Sequence, residues 1–127
     1  MAEIVSLGEI NPQLFAGKFR NILTNEVIIT NERVEHIQTH HPEDYHLFEL
    51  YGKECIQYPD LILSDEKNFG TVFLIKKLSD TNLNMVLRLV LENEDCRLKN
   101  SVMTFWRIRE RNLNKLIKKN EILYKKE

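Results

Sequence analysis

Hydrophobic positions in this chain follow two spacings, and the switch between them organises it. Over residues 31–56 they recur every three or four positions: Val34 and Ile37, then Leu47, Leu50 and Tyr51. That period predicts helix. Thr30 or Asn31 is a natural N-cap, and Glu32 sits in the first turn, where the helix dipole favours negative charge. Pro42 closes this helix near His41, because a residue before proline is pushed out of the α region. A second helix is expected from 42 or 43 to 56, weakened by Gly52.

Beyond residue 60 the period becomes two. Residues 61–63 and 71–77 predict strands separated by a polar connection. Over 84–91, Met85, Leu87, Leu89 and Leu91 share one face while Val86, Arg88 and Val90 share the other. A strand apolar on both faces belongs in the middle of a sheet, and Arg88 is its exception. Residues 101–108 predict the last strand. Leu113, Leu116 and Ile117 then mark a basic amphipathic helix, with Ile122-Leu123-Tyr124 in the tail. Ahead of the first helix, 4–7 predicts a short strand and Asn11-Pro12 a turn. Residues 13–20 predict a short helical piece with Leu14 and Phe15 inward, and Val27-Ile28-Ile29 a short strand or extended lead-in. Helices followed by strands on short turns predict an α+β domain with an antiparallel sheet.

A chain of 127 residues with 43% hydrophobic and 29% charged side chains has the composition of one globular domain. No apolar run approaches the ~20 residues that a spanning helix requires, so no membrane association is expected. The first residues lack the basic and apolar regions of a signal peptide. Cys55 and Cys96 have no CxxC partner and read as thiols of a reducing, cytoplasmic setting, a bridge between them staying open. Net charge is −1, but residues 97–127 carry ten Lys and Arg against three Asp and Glu. Such asymmetry fits a polyanion surface or a solvated amphipathic helix equally well.

Three of the four histidines, His36, His40 and His41, lie within six residues. At 100° per residue Arg33, His36 and His40 share one stripe, with Val34, Ile37 and His41 on the next, so His36 and His40 flank the apolar face. Imidazoles there suit general acid/base work or anion binding. Their i, i+4 spacing also fits two metal ligands, although no HExxH order, Cys cluster or third ligand beyond Glu32 or Glu43 accompanies them. The structural alternative is a rim of packing histidines. Arg88 is either a phosphate clamp or a snorkelling strand residue. Lys99-Asn100-Ser101 and Thr104 are either phosphate contacts or turn chemistry at a strand entry. The chain has no glycine-rich phosphate loop or nucleophile elbow.

Taken together, 27–37 with His40-His41-Pro42-Glu43, then Tyr58-Pro59-Asp60-Leu61-Ile62-Leu63-Ser64-Asp65, then Lys99-Asn100-Ser101-Val102-Met103-Thr104-Phe105-Trp106, and the ending Tyr124-Lys125-Lys126-Glu127 resemble a phage-associated nuclease-like domain. That family belongs to the barnase–EndoU–colicin–RelE superfamily of ribonucleases. The resemblance covers about 26–127 and leaves 1–25 as an N-terminal extension. It implies N-terminal helices packed on a curved antiparallel sheet of about four strands, with a basic C-terminal helix. It further implies metal-independent, cofactor-free RNA cleavage by 2′-OH attack to a 2′,3′-cyclic phosphate. Carried over by position, His36 and His40 are acid/base candidates, with Arg88 and Lys99 as charge stabilisers. Asn100, Ser101 and Thr104 orient the phosphate, with Arg33 or Tyr124 in support. The implied partners are RNA, tRNA or another structured RNA included, and a cognate inhibitor or phage capsid protein. A catalytically inactive RNA-binding or phage assembly module is the alternative, and a metal-dependent hydrolase built on the histidine pair is a third.

Overall fold

A computed structural model describes residues 4–15, 17–19, 22–91, 94–95 and 97–127. Arg20 and Cys96, and with Cys96 the question of a bridge, lie outside the described residues. In chain order the elements are β1 (Ile4–Glu9), a 3-10 turn (Pro12–Phe15), β2 (Glu26–Thr30), α1 (Asn31–His40), α2 (Pro42–Gln57), β3 (Leu61–Ser64) and β4 (Thr71–Lys77). They continue with β5 (Asn82–Arg88), β6 (Asn100–Ile108), α3 (Glu110–Lys119) and β7 (Glu121–Lys125).

The strands form one sheet in the order β1-β2-β6-β5-β4-β3-β7. Neighbours are antiparallel except β2 and β6, which run parallel through Val27 opposite Asn100 and Ile28 opposite Ser101. The expected antiparallel sheet of about four strands is therefore corrected to a mixed sheet of seven, and strands, not helices, open the chain. The cause is accretion at both edges. Segments 4–9 and 121–125 each carry one inward apolar residue, Leu7 and Leu123, which finds cover only by joining a sheet edge. Parallel entry of β2 is possible because α1 through β5 intervene, a connection far longer than a hairpin. The strand read from the apolar alternation of 84–91 is central, as its two apolar faces require, but it ends at Arg88.

Local chemistry sets the helix ends. Thr30 Oγ1 accepts the Arg33 N–H at 3.3 Å, capping α1. Pro42 then occupies the first turn of α2, where its missing N–H costs nothing. Both helices cover one face of the sheet, burying Ile37, Phe48 and Ile56 against Val27, Ile29, Leu74, Met85, Leu87 and Phe105. On the opposite face Leu113 of α3 joins Leu61, Leu63, Ile75 and Ile108, with Trp106, Leu116 and Ile117 packed around them. Each such side chain contributes about 1.5–3 kcal/mol on burial. Among the described residues no helix is long and apolar enough to cross a membrane.

Cys55 lies fully buried in the helix-side core, and burial pushes its thiol up to about 12. Only the thiolate reacts with disulfide reagents. Peptide mapping after Ellman's reagent at pH 8 is expected to leave Cys55 unmodified in the folded protein and modified in urea; rapid native labelling of Cys55 would contradict this packing.

Candidate active site

One irregularity in β6 decides which of its side chains share a face. The pairing of β5 with β6 shifts between Val86 and Leu87, so that Thr104 stands opposite Val86 and Val102 opposite Leu87, with Met103 as an extra residue. A bulge of this kind re-aims the side chains on either side of it. Strict alternation would group Asn100, Val102, Thr104 and Trp106; instead Ser101, Thr104, Trp106 and Ile108 share a face with Arg88, Val86, Asn84 and Asn82. Asn100 and Val102 turn to the helix side.

The histidines come to β6 through β2. That strand leaves β6 after Ser101 and passes directly into α1, which runs on beside the outer edge of β6 and packs against it. At its end His41 stacks on Trp106, centroids 5.9 Å apart and planes inclined by 26°. Asp44 fixes this junction. Buried in the first turn of α2, it accepts the Arg107 backbone N–H at 3.1 Å and the Arg107 Nε–H at 2.6 Å. A β6 edge that β2 has abandoned is thus satisfied by a helix carboxylate.

His36 and His40 lie side by side, ring centroids 4.3 Å apart and planes tilted by 31°. His40 Nδ1 is 3.1 Å from the His36 carbonyl oxygen. A carbonyl only accepts, so Nδ1 carries the hydrogen and the neutral ring presents Nε2 as its basic atom. His40 is exposed, whereas His36 and His41 are half-buried. Partial burial, then the neighbouring His40, Arg33 and His41, hold the His36 imidazole below its ordinary pKa. His41 stands apart, 6.5 Å from His36 and nearly perpendicular to it. Replacing Arg33 with Gln is expected to raise the His36 pKa, because a nearby positive charge is removed. An NMR titration of the ring protons checks this, and an unchanged or lower value would contradict it.

The remaining candidates divide. Arg88 shares its face with Ser101 and Thr104, but its guanidinium donates to both Glu94 carboxylate oxygens, at 3.0 and 3.1 Å, and to the Leu89 carbonyl. Gly70 makes room for it: a Cβ there would meet Arg88 Nη1 at 2.7 Å. Lys99 is ion-paired with Glu26 at the surface. Ser101 Oγ donates to the Lys99 carbonyl at 3.2 Å. The Asn100 amide is buried and engaged at both ends, its nitrogen donating to the Thr24 carbonyl at 2.7 Å and its oxygen accepting the Val90 N–H at 2.9 Å. These four mark the entry of β6, with Ser101 roughly 15 Å along the strand from Trp106. Tyr124 opposes Ile62 on β7, four strand spacings or roughly 19 Å from β6, and packs on the helix-side core. It does not meet the histidines.

Two further groups lie near His41. Trp106 links His41 to the apolar cluster under α3, whose outer side bears exposed Arg111, Lys115, Lys118 and Lys119. Asn84, opposite Trp106 in the ladder, is completely buried, and neither atom of its amide has a hydrogen-bond partner among the described residues; the enclosed Thr104 hydroxyl has none either. Each such atom costs about 1–3 kcal/mol. The available signal was an amide flanked by Leu83 and Met85 inside an apolar strand. Beyond the junction, Asp44, Thr81, Arg107 and Arg109 line a recess of about 370 Å³. Among the described residues no three His, Cys, Asp or Glu side chains are placed to hold one metal ion. Compared with family models, curated proteins and solved structures, the chain finds no match in any of the three.

Proposed function

We propose that this protein is a metal-independent endoribonuclease whose proton-transfer site is the imidazole cluster on the outer edge of β6. The observation that carries the proposal is the side-by-side His36–His40 pair, with His40 held in one tautomer. The pair makes His36 harder to protonate, because partial burial and like charges in contact disfavour its charged form. It therefore holds a neutral imidazole near neutral pH, as the abstraction of a 2′-OH proton requires. The resemblance of 27–43 and 99–106 to phage-associated nuclease-like domains supports the same reading.

In-line displacement puts the attacking and leaving oxygens on opposite sides of phosphorus. Two rings 4.3 Å apart serve only one of those sides. His36 and His40 together supply the base, with Arg33 beside them offsetting charge on the phosphorane. His41, set apart against Trp106, supplies the proton to the departing 5′-oxygen. The basic outer side of α3 attracts the RNA backbone.

A chimeric test separates this mechanism from contaminating or metal-dependent hydrolysis. A structured RNA is incubated with the protein in EDTA alongside the same strand carrying a single 2′-deoxy residue at the mapped cut. Cleavage of the first and survival of the second at that position is expected; cutting at the deoxy position would refute 2′-OH attack. A second reading, an RNA-binding module without turnover, is favoured by one observation: Glu94 and Glu26 already occupy Arg88 and Lys99. Salt-sensitive retention of RNA with no cleavage is its signature.

A further inference from the structure

We propose that Asn84 and Thr104 form the polar floor of a nucleobase-binding subsite, roofed in the free protein by Trp106. The choice of ligand rests on the RNA-directed reading above; the subsite itself rests on separate observations. Three side-chain polar atoms, the amide oxygen and nitrogen of Asn84 and the hydroxyl of Thr104, lie on one face of adjacent strands without partners among the described residues. Their cross-strand partners are apolar. Asn84 stands between Ile75 and Trp106 across the sheet, and Thr104 stands opposite Val86. A leucine and a valine in their places would pack there without any desolvation cost. Retaining three unpaired polar atoms at a loss of stability is the pattern of a site built for a ligand.

The chemistry of the floor selects the ligand class. A carboxamide presents one acceptor and two donor hydrogens in a plane, and the hydroxyl adds a rotatable donor and acceptor. A planar heterocycle with adjacent donor and acceptor atoms matches this set, as every nucleobase edge does. Trp106 is half-buried, stacks on His41 and packs against the apolar cluster under α3. Rotation of the indole off Asn84 uncovers the amide and leaves a ring face on which the entering base stacks. The phosphate next to that base then lies toward the imidazoles, since His41 touches the same indole.

Trp106 is the chain's single tryptophan, so its indole N–H gives one NMR cross-peak that reports on the roof directly. The protein is titrated with each of the four nucleoside 3′-monophosphates and with inorganic phosphate. One base is expected to move the indole peak with an affinity about tenfold above the weakest of the four, while inorganic phosphate leaves it in place. In Asn84→Leu and in Thr104→Val that preference is expected to fall about tenfold, with thermal stability kept or raised. No base-dependent shift in the wild type, or a preference unchanged in both variants, would overturn the subsite, the second result meaning that Asn84 and Thr104 merely enclose internal water. Should Asn84→Leu fail to fold, Thr104→Val decides alone. Selective binding by a protein that cleaves no RNA would refute the nuclease and leave the subsite standing.

Discussion

Asn100→Ala is expected to destabilise the domain by about 3 kcal/mol, a large part of the 5–15 kcal/mol typical of a folded chain. The side chain bridges the Thr24 carbonyl and the Val90 N–H, stitching two otherwise irregular segments to the entry of β6. Truncation leaves the buried Val90 N–H and the part-buried Thr24 carbonyl without this partner, and each then contributes its desolvation cost. The loss comes through the fold, because the amide faces the helix-side core and reaches no ligand. Urea denaturation, with the midpoint and slope compared against wild type, measures it. A change below about 1 kcal/mol combined with a strong loss of RNA affinity would restore Asn100 as a phosphate contact.

The second large effect falls on catalysis. His40→Ala is expected to lower the cleavage rate by about 10²–10⁴-fold while leaving stability within about 0.5 kcal/mol, since the ring is exposed. His36→Ala is expected to cost a similar factor. Because the two rings act on one side of the phosphorus, the double variant should be scarcely slower than either single one, as residues acting as a unit are not additive. Multiplied losses in the double variant would mean that the rings act independently, and their joint role as the base would fail. The acid limb of the rate against pH should lie below the ordinary imidazole pKa, following His36, and move upward in Arg33→Gln.

Most of the elements were legible from spacing because local signals agreed with tertiary placement. Thr30, Glu32 and Pro42 bound α1 as capping chemistry requires, and the alternation around Met85 and Leu87 marked the central strand. What was not legible depended on partners far along the chain. The edge strands signal themselves unequally: 4–7 reads as a short strand, whereas 121–125 reads only as a tail and becomes a strand by pairing with β3. The bulge at Met103 has no glycine to announce it, yet it decides that Ser101 and Thr104, not Asn100 and Thr104, share a face. Arg88 was conspicuous as a charge in an apolar strand, but its counter-ion Glu94 lies in the turn that follows and could not be assigned from periodicity. Asn84 was hidden for the opposite reason. It was read as the first residue of a strand that in fact begins at Asn82, and an amide at a strand entry is unremarkable.

His36 is half-buried on α1, whereas His40 is exposed and His41 lies beyond α1 at its cap. Adjacent to Pro42 and stacked on Trp106, His41 is either a packing group or the second proton-transfer group that the proposed mechanism needs. His41→Ala therefore discriminates the two roles. Loss of cleavage with binding retained supports the acid, whereas unfolding without a specific kinetic effect supports the packing role.

The most direct measurement is cleavage of a structured RNA in EDTA by wild type and by His40→Ala, purified in parallel, with the product ends identified by mass. Wild type is expected to yield 2′,3′-cyclic phosphates at discrete positions and His40→Ala to yield almost none. Equal cleavage by the two proteins, or no cleavage by wild type under conditions where it binds the RNA, would contradict a catalytic imidazole site on α1 beside β6.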